Sequence, residues 1–94
     1  MANLLPLKKS NGWRSIKLKF AFKRDKEEDN DTDVFNMKVY WQRGSQQINM
    51  PYSRRKRWGY YTFSISRAFA GQEFVVKLFK KGVAKAVDES SIVL

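Results

Sequence analysis

The chain has 94 residues, 43% hydrophobic and 15% aromatic, with 19 lysines and arginines against 9 acids and a net charge of +10. This composition supports one folded domain spanning residues 1–94 and excludes a disordered basic tail, which would lack the aromatic and β-branched residues of a core. Cysteine and histidine are absent, which excludes disulfides, thiolate metal sites and histidine acid–base chemistry, and makes a cytoplasmic location the expectation.

In chain order, residues 1–11 read as a flexible N-terminus. Their apolar run, Leu4, Leu5, Pro6 and Leu7, precedes Lys8 and Lys9, the wrong order and too short for a signal peptide. No stretch approaches the roughly 20 apolar residues of a membrane-spanning helix. From Trp13 to Lys23 the residues alternate, with Ile16, Leu18, Phe20 and Phe22 on one face and Lys17, Lys19, Ala21 and Lys23 on the other, the pattern of a half-buried strand.

Six of the nine acids then fall in one short window: Asp25, Glu27, Glu28, Asp29, Asp31 and Asp33, with only Lys26 among them. The window carries −5, so the rest of the chain holds 18 basic and 3 acidic groups, a balance of +15. A second alternating strand follows, with Phe35, Met37, Val39 and Trp41 against Asn36, Lys38, Tyr40 and Gln42. The two strands are expected to form an antiparallel hairpin with the acidic loop 24–33 at its tip. Asp29, Asp31 and Asp33 open with the spacing of a calcium loop. Val34 stands where that loop needs glycine and Tyr40 where it needs a bidentate glutamate, so no metal is expected. A solvated tip is the plain reading, and a decoy competing with phosphate for the basic body is the alternative.

Residues 43–57 read as a connection, with a short edge strand at Gln46 to Met50 and the run Arg54, Arg55, Lys56, Arg57. A third strand spans Trp58 to Ser66, placing Tyr61, Phe63 and Ile65 on one face and Trp58, Tyr60, Thr62 and Ser64 on the other. Gly71 ends a turn. Phe74, Val76 and Leu78 then alternate with Val75, Lys77 and Phe79, completing a second hairpin. Val83 to Val87 suggest one or two helical turns, and Ser90 to Leu94 a fifth strand or a packed tail. The expected fold class is mainly β, with α+β as the variant: a four- or five-stranded antiparallel sheet or partly closed barrel, with a short C-terminal helix as its cover.

On this reading one face collects the apolar residues, and the opposite face presents Lys17, Lys19, Lys38, Tyr40, Trp58, Tyr60, Thr62 and Lys77, where Glu73 is the only nearby acid. Aromatic rings among cations suit nucleic acid, because bases stack on the rings for about 1 to 3 kcal/mol each while the cations neutralise phosphate. Two plainer readings compete. Trp58 and Tyr60 would complete a second core if covered, and lysines on a solvated strand face simply block aggregation. Arg54, Arg55, Lys56 and Arg57 are the strongest motif, four adjacent cations whose repulsion a phosphate partner relieves; a localisation signal or a soluble loop is the alternative.

Residues 54 to 88, with Arg-Arg-Lys-Arg-Trp, strands flanking Gly71, Phe79 and Ala84-Lys85-Ala86-Val87-Asp88, resemble in outline the three-strand-and-helix plan of a DNA-binding domain family of plants and phages. The helix start is shortened, Leu78 replaces the glycine usual before the phenylalanine, and the first 50 residues have no counterpart, so no functional residue is carried across. Small basic β-proteins without cysteine also resemble early proteins of phages. Nothing here has the pattern of a phosphate-cradling loop or a nucleophilic pair, and no cofactor is implied. The expectation is a non-enzymatic module binding DNA or RNA, with docking on an acidic protein surface as the alternative.

Overall fold

A computed structural model describes residues 2–23, 34–41, 44–51 and 58–94, with side chains for 2–23, 35–41 and 61–94. Among the described residues eight strands are formed: β1 (Asn3–Leu4), β2 (Lys8–Asn11), β3 (Ser15–Lys23), β4 (Val34–Trp41), β5 (Gly44–Pro51), β6 (Trp58–Ser66), β7 (Glu73–Lys80) and β8 (Asp88–Val93). They build two sheets, and every described pairing is antiparallel. In the first, β3 is flanked by β6 on one side and by β1 and β2 on the other. The second has the order β5-β4-β7-β8.

The apolar alternation decides which faces meet. Ile16, Leu18, Phe20 and Phe22 of β3 and Ile65 of β6 are buried against Phe35, Met37 and Val39 of β4 and Phe74, Val76 and Leu78 of β7. Phe22 meets Phe35 across the gap with ring centroids 5.1 Å apart, and half-buried Trp41 lies 6.0 Å from Phe63 and 5.6 Å from Phe74. Burying some ten large apolar side chains, at roughly 1.5 to 3 kcal/mol each relative to exposure, is the main force holding the sheets together. Tyr61 has the inward register but remains 38% exposed, its ring stacked on Phe20 at 5.7 Å. Ala21 has the outward register but is fully buried.

Several expectations are corrected by this arrangement. The acidic segment 24–33 lies outside the described residues; β3 and β4 belong to different sheets and do not pair as the expected hairpin. The same holds for β6 and β7, whose connection, a 3-10 turn at Arg67–Phe69 followed by Gly71 at φ +86°, crosses between sheets. The physical reason is coverage. A single sheet with every apolar residue on one face needs a cover, and a five-residue helix only about 7.5 Å long is too small to provide it; two apolar faces cover each other.

The C-terminal helix is also absent: no α-helix occurs among the described residues. Gly82 at φ +87° breaks the chain direction, and the Val87 amide donates to the Leu78 carbonyl at 2.8 Å, drawing the segment toward the edge of β7 and into β8. Without that helix, and with its strands divided between sheets, the outline resemblance to the three-strand-and-helix DNA-binding plan does not extend to this fold.

Within the N-terminal segment, expected to be flexible, β1 and β2 pair with β3. Ala2 is buried, Leu4 and Leu7 pack on the core, and the Leu5 amide donates to the Ala21 carbonyl at 2.8 Å. Two polar contacts close this side of the sandwich. The Leu4 amide donates to Asp88 Oδ2 at 2.7 Å and Lys9 Nζ to the Val93 carbonyl at 3.3 Å. The expected edge strand is present as β5, and the C-terminal strand as β8.

Candidate nucleic-acid interface

The outward face of the first sheet is built around β3, whose burial alternates because Ile16, Leu18 and Phe20 turn into the core. Lys17, Lys19 and Lys23 are thereby exposed. Register adds their neighbours: Lys8 lies directly opposite Lys19, Ser10 opposite Lys17, and on the other side Thr62 and Ser64 stand opposite Lys19 and Lys17. No strand of this sheet contains an aspartate or glutamate. Directly opposed like charges in an antiparallel pair have Cβ atoms about 4.5 to 5.5 Å apart and destabilise it. The Lys8–Lys19 pairing is therefore a local cost of folding with no anion in the sheet to offset it.

At one end of this sheet β2 and β3 are joined by a tight turn. The Gly12 amide donates to the Ser15 carbonyl at 2.8 Å, and a Cβ on Gly12 would stand 2.8 Å from that same oxygen. The turn displays Trp13 with 90% of its surface exposed, next to exposed Arg14. Arg67, at the far end of β6, brings Nη1 to 3.5 Å from the Trp13 carbonyl.

The second sheet's outward face differs in electrostatics. Lys38 and Lys77 are also directly opposed, but both ammonium groups lie over the Tyr40 ring, at 5.4 and 5.2 Å, and Lys77 reaches Glu89 at 3.8 Å. Their charge is partly met within the protein. Beyond them a cavity of about 290 Å³ is lined by Asn36, Lys38, Phe79, Lys80, Lys81, Gly82 and Val83. All three acids among the described residues, Glu73, Asp88 and Glu89, belong to this sheet.

The residues expected on one basic, aromatic face are thus divided. Lys17 and Lys19 lie together on the first sheet, while Lys38, Tyr40 and Lys77 lie together on the opposite surface of the sandwich. Register places Tyr60 opposite Ala21 and Trp58 opposite Lys23 in β6 of the first sheet. Arg54, Arg55, Lys56 and Arg57 are outside the described residues, immediately before β6 begins. Alternation assigns each residue to a face of its own strand and does not reveal which strands share a sheet.

Lys8, Trp13, Arg14 and Arg67 join the basic sheet without having been singled out from the sequence. A signal for Trp13 was present: Asn11-Gly12 marks a turn, which removes the tryptophan from the alternating run that starts at Ser15. Compared with known proteins, the chain matches no family model, no curated protein and no solved structure, so the site rests on its own geometry and charge.

Proposed function

We propose that this protein is a non-enzymatic nucleic-acid-binding module that lays phosphate backbone along the outward face of its first sheet. The observation that carries this reading is the lysine row Lys8, Lys17, Lys19 and Lys23 in a sheet whose strands contain no carboxylate, with Lys8 set directly against Lys19. Lys17 and Lys19 are two residues apart on one strand, about 7 Å, so the row offers several cations within reach of a few consecutive phosphates. Thr62 and Ser64 add hydroxyl donors beside them. Neutralising such a row releases counterions from the nucleic acid, which supplies affinity without sequence readout. The run Arg54, Arg55, Lys56 and Arg57 adjoins the same sheet in sequence and is assigned to the same polyanion. Lys38, Tyr40 and Lys77 form a second, partly compensated basic patch.

The test is a titration of the purified protein with labelled single-stranded and duplex oligonucleotides over a range of salt, with heparin and polyglutamate as competitors. A linear fall of log affinity with log salt, at about 0.7 to 0.9 per phosphate contacted, is the expected result. Polyglutamate competing as well as nucleic acid at equal charge would reassign the face to an acidic protein partner.

A further inference from the structure

We propose that Trp13 is a base-stacking post that directs this module to single-stranded nucleic acid, an inference that rests on the binding role assigned above to the lysine row. A tryptophan buries roughly 150 to 250 Å² when packed, yet Trp13 leaves 90% of its surface in water and contributes almost nothing to the core. Its turn is nevertheless held firmly. Gly12 is bonded to Ser15 and has no room for a side chain, and Arg67 reaches the Trp13 carbonyl from a turn fixed by the Ala68 amide donating to Ser66 Oγ at 3.3 Å. The backbone that carries the ring is thus ordered before binding, so stacking has only the side chain left to order. Arg14 is the next residue in the chain and the Arg67 guanidinium reaches the Trp13 carbonyl, so two cations adjoin the turn to take phosphates beside a stacked base.

The chemistry selects the form of the ligand. A duplex offers base edges in its grooves, and stacking a ring on a base face inside it requires unstacking a step at a cost of a few kcal/mol. An unpaired strand offers its base faces freely. An anionic membrane is the competing polyanion, but interfacial anchoring uses an apolar face of several side chains. The other large exposed apolar residues among those described are Tyr61, Val83 and Val93: Tyr61 lies five residues up β6 from the Ser66 end, and the valines belong to the second-sheet segments. Among the described residues, one tryptophan and these few side chains do not make the broad apolar face that insertion takes.

The experiment compares wild type, Trp13→Ala and Trp13→Phe for binding to oligothymidylate, to a blunt duplex of equal phosphate number and to phosphatidylserine–phosphatidylcholine vesicles, with a thermal melt of each protein. Trp13→Ala is expected to melt like wild type, to lose about 5- to 150-fold in single-strand affinity and to keep its duplex affinity, while Trp13→Phe retains most of the single-strand affinity. Equal losses on single strand and duplex, or no loss on either while wild type binds both, would overturn the stacking role and leave the lysine row standing. Vesicle binding that falls in Trp13→Ala while single-strand binding holds would move the tryptophan to a membrane role. Wild type that binds neither nucleic acid would remove the binding function itself, and the stacking role with it.

Discussion

Lys19→Thr tests the basic sheet through two effects of opposite sign. In the folded protein Lys19 is opposed by Lys8 on one side and Thr62 on the other, with no acid in the sheet, so the substitution removes a like-charge repulsion and places a residue favoured in strands. At low salt, where this repulsion is least screened, Tm is expected to rise by about 1 to 5 °C for a domain of this size. Binding moves the other way. Replacing Lys8, Lys17 and Lys19 together by threonine removes three phosphate contacts, and the slope of log affinity against log salt should shrink by about 2 to 3. Between 50 and 200 mM salt the wild type should then lose on the order of 16-fold or more affinity beyond what the triple variant loses. Thermal melts and anisotropy titrations on the same preparations read both effects. A triple variant that melts lower than wild type, or keeps the wild-type salt slope, would refute the claim that this row is held against its own repulsion for a polyanion.

Replacing Phe20, fully buried between the sheets, by alanine should destabilise the fold by about 3 to 5 kcal/mol in urea titrations, a large part of what a domain this small possesses; wild-type unfolding would mean that β3 is inverted in register. Asp88→Ala deprives the part-buried Leu4 amide of its acceptor and should cost about 1 to 3 kcal/mol, with Asp88→Asn milder because an amide oxygen still accepts; hydrogen exchange at Leu4 as slow as in wild type would remove this latch from the account. Changing Arg54, Arg55, Lys56 and Arg57 to alanine should leave the circular dichroism spectrum intact and weaken polyanion binding at least about tenfold near physiological salt; full affinity in the folded variant would exclude the run from the interface.

β3, β4, β6 and β7 were legible in the sequence because each has one buried and one wet face, so period-two alternation is written into it. β2 was not. Lys8, Lys9, Ser10 and Asn11 are exposed throughout, and an edge strand with no buried side carries no hydropathic period. Pairing was misread for a different reason. Phe22 and Phe35 flank the acidic segment and do touch, but across the core and not along a ladder, and alternation looks the same in both cases. The spacing of Val83 and Val87 suggested a helical face, whereas the positive φ at Gly82 and the bond from Val87 to Leu78 carry the chain into β8. At the site, the excess of cations over carboxylates was readable from composition; its concentration on one sheet was not, because it depends on β2 and β6 both joining β3 while the described acids of β7 and β8 go to the other sheet.

The contacts that seal one side of the sandwich, Leu4 to Asp88 and Lys9 to Val93, each join residues 84 positions apart. Closing a loop of that length costs about 4 kcal/mol of chain entropy, whereas β4 and β5 meet across two residues and β7 and β8 across a short turn. Assembly should therefore be staged, with the local pairs of the second sheet forming early and the seam between the first and last strands forming late. During synthesis the lysine-rich β3 leaves the ribosome well before β6, its long-range partner, and before the strands that bury its apolar side. Until they arrive, that strand is a cationic ribbon with an unshielded hydrophobic back, and the lysines of its outward face keep like strands from associating with it in the interval.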